Sequence, residues 1–333
     1  NPHAQYQLAR MIFNDPSSTP EQTAQALERL TKAAEAGQDC AQYALGKIYR
    51  DGQGVEKDIQ KAVALFTLAA TKENSFAAFA LGKLYLAGDA ALPRDPAAAL
   101  KWLTYAAELG NQFAQYRLGK LLLKGDDGIP KDVITAIRWL TAAAKQENGY
   151  AEYALALVYL TGEDAPKDSV KALSLLKRSA GRGNQFAQYR LGKLLLQGED
   201  APKDVKAAIR WLTAAAEQGN QYAQYALGKL YLLGKEVPKD RSSAIKWFQL
   251  AADQGNEYAQ YFLKHMDDRL GQPPVAAVIS LFHHLANIFQ EQNQPPPSGG
   301  VRVAVDRKLL RKIKAKKIAQ GHKADDHEPE MQL

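Results

Sequence analysis

The sequence predicts an all-α solenoid of antiparallel helix pairs, and three observations carry that expectation. The segment AQYALGK at 41–47 recurs with small changes at intervals of 36 or 37 residues, opening at Ala4, Ala41, Ala77, Ala114, Ala151, Ala187, Ala223 and Ala259. Each copy contains two stretches with apolar residues at helical spacing. Glycine and a Pro-Lys-Asp loop separate them at the same phase. A fixed period of this length marks a stacked array, in which each unit buries its apolar face only against its neighbours.

The first helix of each unit, helix A, places Ala41, Leu45 and Tyr49, or Ala114, Leu118 and Leu122, at i, i+4 and i+8 on one face that must be buried. Tyr43 adds apolar bulk beside that face, and Gly46 offers a place where another helix approaches closely. Helix A is expected to stop at Gly52, Gly88, Gly125, Gly162, Gly198 and Gly234, where glycine takes the left-handed C-terminal conformation at little cost.

The loop that follows reads PKD at Pro130 to Asp132, Pro166 to Asp168, Pro202 to Asp204 and Pro238 to Asp240, and PRD at Pro93 to Asp95. Its aspartate suits the N-cap of a second helix, helix B. Ala62, Ala99, Ala136, Ala172, Ala208 and Ala244 stand four residues on, and Leu65, Trp102, Trp139, Leu175, Trp211 and Trp247 three further. These form a second apolar face, with the four tryptophans expected at equivalent, largely buried places between helices. Helix B ends in Ala-Ala and then Gly-Asn, as at Gly110-Asn111 and Gly219-Asn220, before the next helix A begins.

Residues in this phase resemble the Sel1-like repeat, a relative of the tetratricopeptide repeat with two antiparallel helices per unit. The resemblance covers roughly residues 1–266, as seven full helix pairs plus a further first helix. It implies a right-handed α-solenoid that serves as an adaptor in protein assemblies, with helix A lining the concave surface. Departures are local: Ala9 and Ala156 replace the helix A glycine, Phe79 the tyrosine, and Glu73 and Glu147 the loop glycine. Residues 267–294 are expected to form a C-terminal capping helix. Asp267 interrupts the core pattern there, and the apolar run after Pro273-Pro274 is too short to span a membrane. Residues 295–333 read as a Pro/Gly linker and a basic, partly disordered tail. The chain opens at Asn1 already in the Gly-Asn register, which reads as a piece of a longer protein.

The chain of 333 residues carries a net charge of +7, and the tail holds much of it. Residues 295–317 contain eight basic side chains against Asp306, whereas residues 1–294 net only +3. Cys40 is the sole cysteine, so no intrachain disulfide forms and a reducing, cytoplasmic setting is favoured.

Two cationic sets are the candidate binding residues. On helix A, Arg10, Lys47, Lys83, Lys120, Lys193 and Lys229 stand six positions after the opening alanine, with Arg117 and Arg190 one turn earlier beside that ladder. The functional reading is a groove for an acidic peptide or a phosphate backbone; the bland one is a solvated helix face repeated by duplication. In the tail, Arg307, Lys308, Arg311, Lys312, Lys314, Lys316 and Lys317 are candidates for phosphate contact, against a solubilising extension that lacks aromatic residues for base stacking.

No catalytic residue, cofactor or metal is expected. The P-loop, the dinucleotide-binding glycine fingerprint and HExxH are all missing from the sequence. His322, Asp325, Asp326, His327 and Glu328 cluster near the end without residues to orient them as ligands, and adjacent His283 and His284 point about 100° apart on a helix. Cys40 occupies a place where other units carry Phe or Tyr, so it reads as packing.

HHLANIFQEQ at 283–292 and KKIAQGHKADDHE at 316–328 resemble the C-terminal ends of mobilisation relaxases from Gram-positive mobile elements. Those enzymes hold a metal through a His-hydrophobic-His motif that this sequence lacks, so no catalytic residue carries over. The expectation is a non-catalytic interaction scaffold, the accessory region of such a relaxase, recruiting protein partners and touching DNA through its tail. The alternative is a free-standing adaptor in bacterial signalling or cell-envelope assembly, without nucleic acid. An enzyme rests only on the terminal His and acidic cluster.

Overall fold

The computed structural model describes residues 2–265 except 16, 126 and 127. Within them the chain forms fifteen α-helices and no strand. The seven pairs are α1 (Pro2–Asn14) with α2 (Pro20–Glu35), α3 (Asp39–Asp51) with α4 (Ile59–Ala70), α5 (Ser75–Ala87) with α6 (Pro96–Glu108), and α7 (Gln112–Lys124) with α8 (Val133–Lys145). They continue with α9 (Gly149–Thr161) and α10 (Ser169–Gly181), α11 (Gln185–Gln197) and α12 (Val205–Glu217), and α13 (Gln221–Leu233) and α14 (Arg241–Asp253). An eighth helix A, α15 (Glu257–His265), follows. The first compact unit of the chain takes in Asn1–Gln260 and so contains all seven pairs. The expected capping helix at 267–294 and the tail at 295–333 lie outside the described residues.

Polar side chains set the helix starts. Asp58, Asp95, Asp132, Asp168, Asp204 and Asp240 cap the B helices, with Asp132 accepting from the Thr135 amide at 3.0 Å and Asp204 from that of Ala207 at 2.9 Å. The Gly-Asn asparagines cap the A helices: Asn111 Oδ1 accepts from the amides of Phe113 and Ala114, both at 3.0 Å. Each such cap contributes about 1 kcal/mol. At the helix A ends, Gly52, Gly162, Gly198 and Gly234 are left-handed as expected, whereas Gly88 and Gly125 keep a positive φ but open to ψ of 159° and 143°. Glu73 and Glu147, which replace the loop glycine, are forced to φ of 61° and 66°.

The core corrects one expectation. Trp102, Trp139, Trp211 and Trp247 occupy equivalent places but are only half-buried. The fully buried residue is the one after each: Leu103, Leu140, Leu212 and Phe248, with Phe66 and Leu176 in the remaining phases. Helix A explains the preference. A Cβ on Gly119 would lie 2.6 Å from Leu140 Cγ, and one on Gly192 2.7 Å from Leu212 Cγ, so the large residue of helix B sits directly on the helix A backbone. The tryptophan, about 100° round the helix, covers the edge of that contact.

Polar side chains also join successive units. Gln115 donates to the Ala107 carbonyl at 3.0 Å and accepts from Gln146 at 2.8 Å; Gln188 donates to Ala180 and accepts from Gln218, and Gln224 donates to Ala216 and accepts from Gln254. In the fifth pair the same place is taken by Glu152, fully buried, with Arg178 Nη2 2.6 Å and Arg182 Nε 3.3 Å from its carboxylate. These contacts are ionic rather than well-aligned hydrogen bonds. Along the loop edge, Lys57–Asp89, Lys131–Asp164, Lys167–Asp200 and Lys203–Glu236 pair across units at 2.6–2.8 Å. Being exposed, each contributes about 0–1 kcal/mol.

Candidate functional site

Helix A presents a second face beside its buried one. A residue two positions after the opening alanine and another at six are i, i+4 neighbours, so Tyr43 and Lys47, Phe79 and Lys83, Tyr116 and Lys120, Tyr189 and Lys193, and Tyr225 and Lys229 each share a surface. The Lys83 ammonium lies 5.6 Å from the Phe79 ring centre. All eight candidate cations are on A helices: Arg10 on α1, Lys47 on α3, Lys83 on α5, Arg117 and Lys120 on α7, Arg190 and Lys193 on α11, and Lys229 on α13.

The rings form a ladder of their own. Tyr43 meets Phe76 at 6.3 Å between centres, Phe79 meets Phe113 at 6.5 Å, Tyr116 meets Tyr150 at 5.9 Å, and Tyr153 meets Phe186 at 6.3 Å. Tyr189 with Tyr222 at 6.1 Å and Tyr225 with Tyr258 at 5.9 Å continue it. The sequence showed both positions as aromatic but offered no reason to join them across 33 or 34 residues. Tyr222 remains 50% exposed, so this wall is part of the accessible surface as well as of the packing.

The cationic ladder is broken. The fifth A helix carries Leu157 and Ala154 where α7 and α11 carry lysine and arginine. Beyond the break, positive charges crowd. Loss of water around the Lys193 chain, and then the Arg190 charge, lower the Lys193 pKa even though this lysine keeps an exposed surface. Burial likewise lowers Lys229, helped by Lys193 and Lys235. Arg190 Nε is buried without a hydrogen-bond partner. The tail candidates Arg307, Lys308, Arg311, Lys312, Lys314, Lys316 and Lys317 lie outside the described residues, as does the terminal His and acidic cluster.

Nothing catalytic is assembled in the described part of the chain. Burial and the neighbouring Asp39 push the Cys40 thiol up, opposite to what a nucleophile needs. Among the described residues no group of three or more His, Cys, Asp and Glu is placed to hold a metal, and no helix is long and apolar enough to cross a membrane. An apolar groove of about 640 Å³ lies on the helix B side between α4 and α6, lined by Ala70, Ala97, Leu100, Trp102 and Tyr105.

Comparison with known proteins agrees with this architecture. The Sel1 repeat model matches seven times, at residues 2–38, 41–74, 75–111, 112–148, 149–184, 185–220 and 221–256. Among solved structures, a protective antigen of uropathogenic Escherichia coli with an SLR fold is 34% identical over 81% of this chain, with a TM-score of 0.69. This chain spans 58% of the length of that protein. A Sel1 repeat protein from Oxalobacter formigenes is 26% identical, covers 75% of this chain and 96% of its own, and has a TM-score of 0.65. No curated protein matches the chain in sequence. These matches indicate no enzymatic family, and with seven repeats in phase from residue 2 to 256 the chain belongs to the Sel1 repeat family.

Proposed function

We propose that this chain is a non-catalytic protein-interaction scaffold whose partner docks on the exposed face of the A helices. The observation that supports it most is the repetition: the A helices spend one face on the core and offer the same second face, an aromatic ring one turn before a cation, in six of the seven units, all but the fifth. The rings and the arginines Arg10, Arg117 and Arg190 are residue types enriched where proteins bind proteins, and the lysines beside them add charge of the kind found at an interface rim. Arg10, Lys47, Lys83, Lys120, Arg117, Arg190, Lys193 and Lys229 are the residues assigned to it. The test is to recover a partner with the intact chain, map it by cross-linking, and repeat with Lys47, Lys83 and Lys120 changed to Glu. Cross-links on the A helices that vanish in the charge-reversed chain support the assignment; cross-links confined to the B helices defeat it.

The setting has two readings. The likeness of 283–292 and 316–328 to relaxase tails favours the accessory region of a mobilisation relaxase, with DNA met by the basic tail. A free-standing adaptor accounts equally well for the repeats. A chain ending at Gln294 loses eight basic residues of 295–317. If the tail meets DNA, that shortened chain binds a duplex far more weakly than the intact one, and the intact chain's affinity falls steeply with salt. Equal binding by the two chains rules out the tail contact.

A further inference from the structure

The cationic and aromatic rows of the A-helix face differ in one respect. The cations are interrupted at Leu157, whereas the rings run unbroken from Tyr43 on α3 to Tyr258 on α15. We infer that the ring row is the docking track for an extended, proline-rich peptide segment in the polyproline II conformation, with acidic residues among its prolines. This inference deepens the scaffold reading above and rests on it.

Two kinds of contact make the row continuous. Between units the rings meet in pairs, such as Tyr189 with Tyr222 at 6.1 Å and Tyr225 with Tyr258 at 5.9 Å. Within a helix the two ring positions stand three residues apart, as Tyr222 and Tyr225 do on α13, and are neighbours on one surface. The rings of the row are half-buried, so each keeps part of its surface open, and Tyr222 keeps 50%. A partner that follows the A-helix face therefore meets aromatic surface at every unit, including the fifth, where the cation is missing.

The period of the row selects the partner's conformation. Successive A helices touch, as α7 and α9 do, which sets them about 8–10 Å apart. A polyproline II helix turns once in three residues, a pitch of about 9.3 Å, so it returns the same kind of side chain to the row at every unit. An α-helix returns about every 5.4 Å, and the third residue along a β-strand points away from the first. A proline ring packs on an aromatic ring, and tyrosine hydroxyls donate to the carbonyls that a polyproline II segment leaves without internal hydrogen bonds. Such a segment is also preformed, so binding orders it little. Lys47, Lys83 and Lys120 stand one turn beyond the rings in three successive units, and their charge complements carboxylates spaced at the same period. Nucleic acid fits less well, because it needs a long positive track, whereas the cation row fails at Leu157 and residues 1–294 net only +3.

The experiment uses the full chain and fluorescein-labelled, end-capped peptides of two and five Pro-Pro-Glu triplets, with Pro-Pro-Gln and Ala-Ala-Glu counterparts and a single-stranded thymidine oligonucleotide, read by anisotropy. The five-triplet Pro-Pro-Glu peptide is expected to bind about tenfold more tightly than the Ala-Ala-Glu peptide of the same charge, and more tightly than the two-triplet peptide as further units engage. Its preference over the Pro-Pro-Gln peptide should shrink in a chain carrying Lys47→Gln, Lys83→Gln and Lys120→Gln. Tyr222→Ala, at the most open ring of the row, should lose about fivefold, whereas Leu68→Ala, at an exposed residue of α4, binds as the parent does. The unaltered chain supplies a second reading that needs no variant to fold: bound Pro-Pro-Glu peptide should slow the nitration of Tyr222 by tetranitromethane, followed by mass spectrometry, and the Ala-Ala-Glu peptide should not. Equal affinity for the Pro-Pro-Glu and Ala-Ala-Glu peptides, or unchanged binding in Tyr222→Ala with no protection of Tyr222, overturns the track. A glutamate preference that is absent, or untouched by the lysine changes, overturns the acidic part of the assignment. Binding of the oligonucleotide but not the proline peptides, weakened in Tyr222→Ala, overturns the inference in favour of nucleic acid. The scaffold reading is judged separately, by where the cross-linked partner lies: cross-links on the A helices with no affinity for proline peptides sink this inference alone.

Discussion

The fourth and sixth units open with the same twelve residues, QFAQYRLGKLLL, while the fifth, between them, reads GYAEYALALVYL. In the two alike units the buried polar joint between helix A and the end of helix B is neutral, built from Gln115 with Gln146 and Gln188 with Gln218, and the cations stand on the exposed face. In the fifth the charge is inside the joint, as Glu152 with Arg178 and Arg182, and the face carries Ala154 and Leu157. One backbone period therefore satisfies the same buried polar position in two ways, and the units differ in whether charge stands on the exposed face or is kept inside the helix pair. The two ways also differ in how they fail. An amide pair contributes about 0.5–1.5 kcal/mol net per hydrogen bond, whereas a fully buried carboxylate depends on its cations remaining in place.

The largest expected effect is therefore in the fifth unit. Arg178→Ala leaves Glu152 buried with one poorly aligned partner and should cost about 3 kcal/mol, read as a lower urea midpoint. Glu152→Gln combined with Arg182→Gln rebuilds the joint of the sixth unit, and should cost clearly less than the two single changes added together. Additive losses would show that the two residues act independently and would break the comparison.

Glycine is the next contrast. Gly119→Val and Gly192→Val drive a branched side chain into Leu140 and Leu212 and should each cost about 1–3 kcal/mol, with damage reaching adjacent units. The fifth unit already carries a buried methyl at this place, Ala156. Gly119→Ala is thus expected to do less harm than the valine, and unchanged thermal unfolding in both valine variants would show that these glycines are not at a tight contact.

Titration sharpens the contrast at the ring ladder. Burial raises the pKa of Tyr189 and of Tyr225 above the ordinary 10.0. A folded-state value above the unfolded one contributes stability that is complete below pH 10 and is lost as pH rises beyond it. Denaturant midpoints should fall above that pH, and Tyr189→Phe with Tyr225→Phe should flatten the fall. A fall of the same size in the double variant would place its cause outside the ladder.

The smallest effect concerns the loop. Glu73 is held at φ 61° with no structural demand for a side chain there, so Glu73→Gly should raise the melting temperature slightly, by relief of about 1 kcal/mol of backbone strain less the extra chain entropy of glycine. Glu147→Gly gains the same relief but gives up the 2.9 Å ion pair with Arg182, and should gain less. A larger gain at 147 than at 73 would mean that this exposed pair contributes nothing.

Much of this was legible in the chain alone. The period of 36 or 37 residues, the aspartate and asparagine caps, the terminal glycines and the order of helix pairs follow from local rules, because a cap or a left-handed turn is satisfied within four residues of itself. Helical spacing likewise marked which face of each helix is apolar and placed the cations on the face beside it. Only the packed array decided that Leu103, rather than Trp102, is the residue seated on helix A, since two neighbours about 100° apart belong to the same apolar stripe until a glycine on the facing helix selects one. The packing also decided that Glu152 is bound by Arg178 and Arg182, that rings 33 or 34 residues apart meet at a tilt, and that Lys193 feels the charge of Arg190 and Lys229 that of Lys193. Most of those relations join different helices, and their energies depend on distance and water exclusion, which periodicity along a chain does not encode.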